Sequence, residues 1–306
     1  MLPTCSPSLK TTLMIDICCV GHITLDKITT PTLTKFMPGG TAYYFAEGIH
    51  NLGTRNFQLV TAVGESELPV IRKMREAGIS IKLVRSQNSV FFENIYGEDQ
   101  NNRTQRVRSK AAPFTIKDLE DIDARIYHLG SLLADDFAPD LIPYLHGKGK
   151  VSLDVQGFLR EVRGEDVFPI DWKAKRELLP YVDILKVNEY EMEVLTGCNE
   201  SHEAARRLAE WGCNEVCITD GSYGSLIFAG GEFYEIPAYM PTRVVDVTGC
   251  GDTYSTGYLY KRIQGASYEE AGRFAAAMST LKLQSTGPFS QTESDVEQVV
   301  QQAIVC

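Results

Sequence analysis

The sequence predicts an α/β protein with one central, mostly parallel sheet that is flanked by helices. Two observations support this fold class. Short apolar segments alternate with helical patterns along most of the 306 residues, which is the rhythm of a parallel sheet. At 89–108 two segments of period-two alternation surround the polar tip GEDQNN, which predicts a projecting β-hairpin. No repeat, low-complexity linker or charge run divides the chain, so we expect residues 1–306 to form one domain.

Composition restricts the function. The chain is 43% hydrophobic and has 30 basic against 40 acidic residues, a net charge of −10. This charge argues against a nucleic-acid or anionic-membrane surface, because both need clustered Lys and Arg. The eight cysteines form no C-x-x-C pair, and no run of about 20 apolar residues exists to span a membrane. We therefore expect a cytoplasmic protein that binds neither nucleic acid nor membrane.

The N-terminal part supplies a strand, a flap and a helix. Ile15–Gly21 predicts a buried strand, and the Thr-rich segment 22–35 predicts an edge strand or flap. Asp26 follows the end of the first strand, where ligands of open α/β sheets bind. Gly39 and Gly40 then precede a helical pattern, and a double glycine lets a ligand approach the backbone closely.

The rest of the chain returns to strand–helix alternation. Strands are predicted at 57–63, 78–84, 125–130, 150–155, 183–187 and 215–219, helices at about 67–76, 116–122, 139–147, 171–180 and 201–211, a hairpin at 225–236, and helices at 268–283 and about 291–303. Polar residues follow successive strands, among them Asp154, Gln156 and Asn188, and parallel strands bring such residues to one edge. Glu191, one helical turn after Asn188, is a candidate anchor for hydrated Mg²⁺.

The most informative stretch is Val244–Tyr258, VVDVTGCGDTYSTGY. Gly249, Cys250 and Gly251 form a small-residue turn that leads into a helix, so unpaired N–H groups and the helix dipole can hold an anion. Asp252 begins that helix. It is either a general base that faces a hydroxyl group or a first-turn capping acid, and the local sequence leaves both interpretations open. Cys250 fits a small packing residue better than a nucleophile.

Four motifs in order resemble the PfkB, or ribokinase-like, sugar kinases over essentially the whole chain. The stretch Asp246-Val-Thr-Gly-Cys-Gly-Asp252 is similar to the family's D-T-x-G-A-G-D signature, and Pro38-Gly39-Gly40 is similar to its N-terminal signature. Asn188 and Glu191 match N-x-x-E. The last motif, T-x-G-x-x-G, is matched by Thr219, Gly221 and Gly224.

The resemblance implies a ribokinase-like fold, a small β-lid at about 22–36 and 87–108, and an ATP-dependent kinase. Lids of this family often mediate homodimers. Asp252 would be the catalytic base, with the N–H groups of Gly249, Cys250 and Gly251 as the anion hole. ATP and Mg²⁺ would be held by Asn188, Glu191, Thr219, Gly221, Gly224, Gly249 and Gly251. Many members bind K⁺ beside the signature turn, and Asp246 and Thr248 match part of that site.

The substrate side is less defined. Asp26, Gly39 and Gly40 would meet sugar hydroxyls, but Tyr44 stands where the family often has a sugar-binding asparagine. Further candidates for specificity are Phe92, Asn94, Arg106, Arg108 and Gln156. The pattern of Asp154, Gln156 and Arg160 resembles inositol-kinase-like and uncharacterised sugar-kinase branches. We expect a kinase for a small sugar or polyol, with a nucleoside kinase of the same fold or a catalytically silent relative as alternatives.

Overall fold

The computed structural model describes residues 14–96 and 103–302. The tip of the predicted hairpin, 97–102, and the last residue of the predicted C-terminal helix, 303, lie outside the described residues. Within the described ranges no helix has the length and apolar character needed to cross a bilayer.

Nine strands of the described chain form the central sheet, in the order β15-β14-β13-β12-β9-β8-β1-β4-β5. They are β1 (Ile15–Gly21), β4 (Phe57–Val63), β5 (Ile81–Arg85), β8 (Ala124–Gly130), β9 (Lys150–Asp154), β12 (Ile184–Asn188), β13 (Glu215–Thr219), β14 (Ser225–Ala229) and β15 (Glu232–Ile236). All neighbouring pairs are parallel except those at the β14–β15 edge. The mostly parallel sheet is thus confirmed.

Six further described strands form a second sheet, in the order β10-β11-β7-β6-β2-β3. These are β2 (Thr24–Thr29), β3 (Thr34–Gly39), β6 (Val90–Tyr96), β7 (Arg103–Ser109), β10 (Arg160–Arg163) and β11 (Asp166–Pro169). We call this sheet the lid. It is larger than the sequence predicted, because the hairpin β10–β11 adds to the two expected segments.

The helices cover both faces of the central sheet. They are α1 (Thr41–Asn51), α2 (Leu68–Glu76), α3 (Ile116–Leu119), α4 (Leu141–His146), α5 (Lys175–Leu178), α6 (Glu189–Thr196), α7 (Ser201–Glu210), α8 (Cys250–Ile263), α9 (Tyr268–Leu283) and α10 (Glu293–Gln302). Successive residues of β1 show the reason: Cys18 and Val20 belong to one buried cluster, and Ile17 and Cys19 to the other. A strand that is apolar on both faces needs helices on both sides.

Strand register brings polar residues to one edge of the sheet. Gly21 pairs with Gly130, Gly130 with Asp154, and Asp154 with Lys186. One strand further on, Asn188 pairs with Thr219. These pairs lie at the carboxyl ends of parallel strands, which is where α/β folds bind ligands.

Candidate active site

The signature turn opens α8, a helix of 14 residues. Gly249 has φ +76°, and the half-buried Asp252 lies in the first helical turn. The N–H group of Cys250 donates to the carbonyl of Val247 at 3.3 Å, so it is partly engaged. The N–H groups of Gly251 and Asp252 lie where a helix supplies no backbone acceptor, so this end of α8 is suited to an anion.

Tyr44 packs beneath the turn. A Cβ atom on Gly249 would lie 2.2 Å from Cδ1 of the Tyr44 ring, so only glycine fits, and the positive φ favours glycine as well. The Tyr44 side chain is 2% exposed. Its pKa is raised, first by burial and then by Asp246 and Asp252. The ring therefore supports the turn, and a contact between Tyr44 and substrate stays a prediction.

Asp252 has the electrostatic surroundings of a proton acceptor. Its pKa is raised from 3.8 to about 7, mainly by burial and then by the charge of Asp154. Lys186, a hydrogen bond with Thr41, and Arg160 oppose that shift. A carboxyl group whose pKa lies near neutrality can take a proton from a hydroxyl group and release it later.

Lys186 is a site residue that the sequence analysis missed. Its Nζ lies 3.1 Å from Oδ2 of Asp154, and both residues are buried. A Cβ atom on Gly251 would lie 2.9 Å from this Nζ, so the ammonium group borders the signature turn. The available signal was a lysine inside the apolar strand Ile184–Asn188, because a lysine at a buried position needs a charged partner.

Asn188 and Glu191 form a capping box at the start of α6. Oδ1 of Asn188 accepts from the N–H groups of Tyr190 and Glu191, and Oε2 of Glu191 accepts from the N–H group of Asn188 at 2.8 Å. The Asn188 amide therefore has its NH₂ group left for a ligand. A donor suits a phosphate oxygen and not Mg²⁺, so Asn188 does not fit the expected role of metal ligand.

Glu191 alone of this pair fits Mg²⁺. Its carboxylate is buried, which raises its pKa, and Lys186 opposes that rise. Among the described residues no group of three His, Cys, Asp or Glu side chains is arranged for a metal ion. One carboxylate with waters and phosphate oxygens is a normal set of ligands for Mg²⁺.

The T-x-G-x-x-G segment closes a tight turn after β13. The N–H group of Asp220 donates to the carbonyl of Gly224 at 2.9 Å. Gly221 and Gly224 have φ +48° and +105°, values that favour glycine. The strand pairing of Thr219 with Asn188 puts this turn beside the start of α6.

One face of the lid carries Asp26 and Asn94. Asp26 pairs with Phe92 in the parallel ladder, and alternation along β6 puts Asn94 on the same face. Asp26 accepts a hydrogen bond from Thr24 Oγ1 at 2.7 Å, and Asn94 accepts one from Gln105 at 3.0 Å. Only glycine fits at position 39, because a Cβ atom there would lie 2.3 Å from Oδ2 of Asp26. Gly40 (φ +88°) and the half-buried Gln156 remain candidates at the start of α1 and after β9.

Arg108 binds other residues of the lid, and its contact with substrate stays a prediction. Its guanidinium binds Glu93 and Glu165, and Glu93 also binds Lys27 at 2.8 Å. Glu93 alternates with Asn94 along β6, so this charged cluster occupies the opposite face of the lid from Asp26. Arg106 pairs with Glu93 in register and lies on that face too. Both arginines join lid strands to each other.

Asp246 does not fit the expected K⁺ site, and a role of Thr248 there stays a prediction. The carboxylate of Asp246 accepts the N–H group of Thr248 at 2.9 Å and lies 3.3 Å from Nζ of Lys282. Lys282 also donates to the backbone carbonyl of Asp246 at 2.9 Å. The two Asp246 oxygens that would bind K⁺ therefore already contact a side-chain cation.

Sequence comparison agrees with this geometry. Residues 14–295 match the pfkB family of carbohydrate kinases. The chain belongs to this family. It is therefore a phosphotransferase of the kinase class, with the ribokinase-like α/β fold.

Known pfkB-family relatives differ in their named substrates. A cytidine kinase of Thermococcus kodakarensis is 28% identical over 91% of this chain and 100% of its own length. A pyrophosphate-dependent kinase in the ribokinase family, solved with a pyrophosphate analog and myo-inositol, has a TM-score of 0.82 and 29% identity, covering 92% of this chain and 99% of its own. Ribokinase of Arabidopsis thaliana shares the fold at 20% identity, with a TM-score of 0.77, over 95% of this chain and all of its own.

Proposed function

We propose that this pfkB-family kinase transfers the γ-phosphate of ATP to a hydroxyl group of a small sugar or polyol, with Asp252 as the general base. The observation that carries the proposal is the position of Asp252. It is a half-buried carboxyl group with a pKa near 7, in the first turn of α8 and next to an anion-binding turn. A capping acid alone would have no need of this environment.

In the proposed reaction, Asp252 accepts the proton of the attacking hydroxyl group. The hydroxyl oxygen bonds to the γ-phosphorus while the bond between that phosphorus and the bridging oxygen breaks, and ADP leaves. The N–H groups at the start of α8 stabilise the transferring phosphoryl group. Lys186 keeps part of the Asp252 population ionised. When Mg²⁺ is bound it neutralises phosphate charge, and Glu191 would hold it through water.

The identity of the phosphoryl donor must be tested, because the similar ribokinase-family kinase described above depends on pyrophosphate. Two features support ATP. The turn after β13 has the T-x-G-x-x-G pattern, and apolar side chains are exposed around it, with Tyr223 at 86% and Met240 at 82%. Gly224 contacts the backbone at Ile236 and Ala238, so this turn borders the segment that carries Met240. A purine ring would bury such side chains, whereas pyrophosphate has no apolar surface.

The acceptor class is proposed from the lid face. Asp26 and Asn94 offer carboxylate and amide groups, which suit several hydroxyl groups on one ring. A nucleoside is the second candidate, because the cytidine kinase aligns over its whole length. The exposed Phe36 (57%) on β3, the edge strand of the lid, supports a homodimer through the lid, which light scattering of the purified protein can test.

A matrix assay tests these proposals. ATP and pyrophosphate are each offered with ribose, fructose, myo-inositol, cytidine and adenosine, and the phosphorylated acceptor is detected by mass spectrometry. Asp252→Asn is the matched control. Product from ATP with a sugar or polyol supports the proposal. Product with pyrophosphate only contradicts the proposed phosphoryl donor. Product with nucleosides only contradicts the proposed acceptor.

A further inference from the structure

Lys282 is a buried cation beside the signature turn. It lies in the last turn of α9, and its side chain is 0% exposed. Its Nζ contacts two oxygens of one residue, the backbone carbonyl of Asp246 at 2.9 Å and the carboxylate Oδ2 at 3.3 Å. The ring centroid of Tyr44 lies 5.8 Å from the same Nζ. A lysine is buried this deeply only when fixed partners compensate its charge.

These contacts order the chain that enters the turn. Asp246 accepts the N–H group of Thr248, and the carbonyl of Leu283 accepts from Val245 at 2.8 Å and from Asp246 at 3.2 Å. The end of α9 therefore fixes residues 245–248 immediately before Gly249. Tyr44 packs under Gly249 and its ring faces Nζ of Lys282. The same ammonium group therefore contacts the chain before the turn and the ring beneath it.

Electrostatics argue against a second cation at this place. Two unit charges about 4 Å apart repel by roughly 4 kcal/mol at an effective dielectric constant near 20. That repulsion would weaken binding of a monovalent ion by about 1,000-fold, at 1.4 kcal/mol for each factor of ten. The backbone and carboxylate oxygens of Asp246 would also have to leave the ammonium group.

We infer that Lys282 supplies, from within the chain, the positive charge that a K⁺ ion would otherwise bring to the signature turn. The kinase is therefore independent of monovalent cations. Lys282 is a positioning residue: it acts through Asp246 and Tyr44 on the turn and does not touch the substrate. The inference rests on the proposed function only in taking the turn at 249–251 as the phosphoryl site.

The first test uses the unaltered protein. Turnover is measured with the Tris salt of ATP, with ionic strength held by tetramethylammonium chloride, and then with KCl in its place. We expect less than a twofold difference. Stimulation by K⁺ of fivefold or more would overturn the inference. If no acceptor gives turnover, the proposed function fails, and the melting temperature decides alone: a K⁺-specific rise in the unaltered protein would overturn the inference.

The second test creates the missing ion site. Lys282→Ala removes the ammonium group and leaves room at Asp246. We expect kcat to fall at least tenfold in tetramethylammonium chloride, and K⁺ or NH₄⁺ to restore much of the loss and raise Tm. Lys261→Ala is the control, because Lys261 lies in the last turn of α8 and pairs with Glu293 and Glu297 away from the turn at 249–251. Full activity of Lys282→Ala without K⁺ would overturn the inference, and so would a loss that neither cation reverses in folded protein.

Discussion

Nζ of Lys186 lies 3.1 Å from Oδ2 of Asp154, and the same ammonium group lowers the pKa of Asp252. This buried cation thus acts on Asp154 and Asp252, as well as on Glu191. Asp154 holds the lysine in place, and the residual positive charge reaches Asp252. Burial raises the pKa of Asp252, and the charge of Lys186 keeps that pKa near 7 and not far above it.

Lys186→Met should move the ionisation of Asp252 upward. Without the ammonium group, burial and Asp154 act on Asp252 with less opposition, so the acid limb of kcat/KM shifts up by about one pH unit or more. Activity at pH 7 should fall at least about fivefold, because the ionised fraction of Asp252 falls from about one half to about one tenth for a shift of one unit. The measurement is a pH–rate profile, with Lys148→Met as control because Lys148 binds carbonyls of the 119–122 segment.

Loss of Lys186 also leaves the buried Asp154 without its cationic partner, and breaking a buried ion pair in this way can destabilise a fold by about 3–5 kcal/mol. The double variant Lys186→Met with Asp154→Asn removes that stranded charge and should recover stability. Since Asp154 raises and Lys186 lowers the pKa of Asp252, the acid limb of the double variant should lie below that of Lys186→Met. If the pH profile of the single variant Lys186→Met matched the wild-type profile, Lys186 would have no part in setting the pKa of Asp252.

The unaltered enzyme should show an acid limb near pH 7 in kcat/KM. Asp252 has a pKa of about 7, and the base must be ionised to accept a proton, so activity rises with pH and levels off above about pH 8. Burial contributes most to this pKa, Asp154 raises it further, and Lys186, Thr41 and Arg160 lower it. A rate that stays constant from pH 5 to pH 8 would refute the assignment of the base.

Asp252→Asn should lower kcat by roughly 10²–10⁴, the usual scale for losing a positioned base. The same change should stabilise the fold at high pH. Because the folded pKa is raised above 3.8, the wild-type carboxyl group favours the folded state at low pH, and this contribution is lost as pH rises through about 7. Calorimetry should therefore show Tm of the variant exceeding wild type by about 2–5 °C at pH 8 and by less at pH 4.

The local part of the site was predictable from sequence. The glycine turn and the helix after it lie next to each other in the chain, and so do Asn188 and Glu191. The pairing of Lys186 with Asp154 was not predictable, because 32 residues separate them and the strand register that joins them is a tertiary property.

The sequence also did not show which face of a strand a side chain occupies, or whether a basic residue is buried. The pairing of β6 with β7 shifts register between Phe91 and Phe92, so counting residues in sequence could not show which face Arg108 occupies. Lys282 resembles any basic residue in the last turn of a helix, a position where lysine is ordinarily exposed. Only the packing of α9 against residues 245–248 shows that it is buried.

Gly249→Ala should damage both stability and activity. The positive φ alone costs an alanine about 1–2 kcal/mol, and here the new methyl group would also overlap the Tyr44 ring. Gly265→Ala is a matched control, with φ +85° and nothing within 4 Å of the added atom. Its destabilisation therefore measures the cost of the positive φ alone. We expect the destabilisation at 249 to be at least twice that at 265 in urea denaturation, with kcat reduced about 100-fold only at 249.

The two faces of the lid should respond differently to substitution. Asp26→Asn removes a charged acceptor from the face that carries Asn94, and losing a hydrogen bond to a charged group weakens binding by about 1.5–3 kcal/mol. We expect kcat/KM for the acceptor to fall about 10–100-fold while KM for ATP is unchanged.

Arg108→Gln alters the opposite face, where its partners are Glu93 and Glu165. It should lower Tm, because the buried Glu93 then keeps only Lys27 as a cationic partner, and it should leave kcat/KM within about twofold, because these residues lie on the face opposite Asp26. Steady-state kinetics with both substrates varied distinguishes the two, and a larger acceptor defect in Arg108→Gln than in Asp26→Asn would reverse the assignment of the faces.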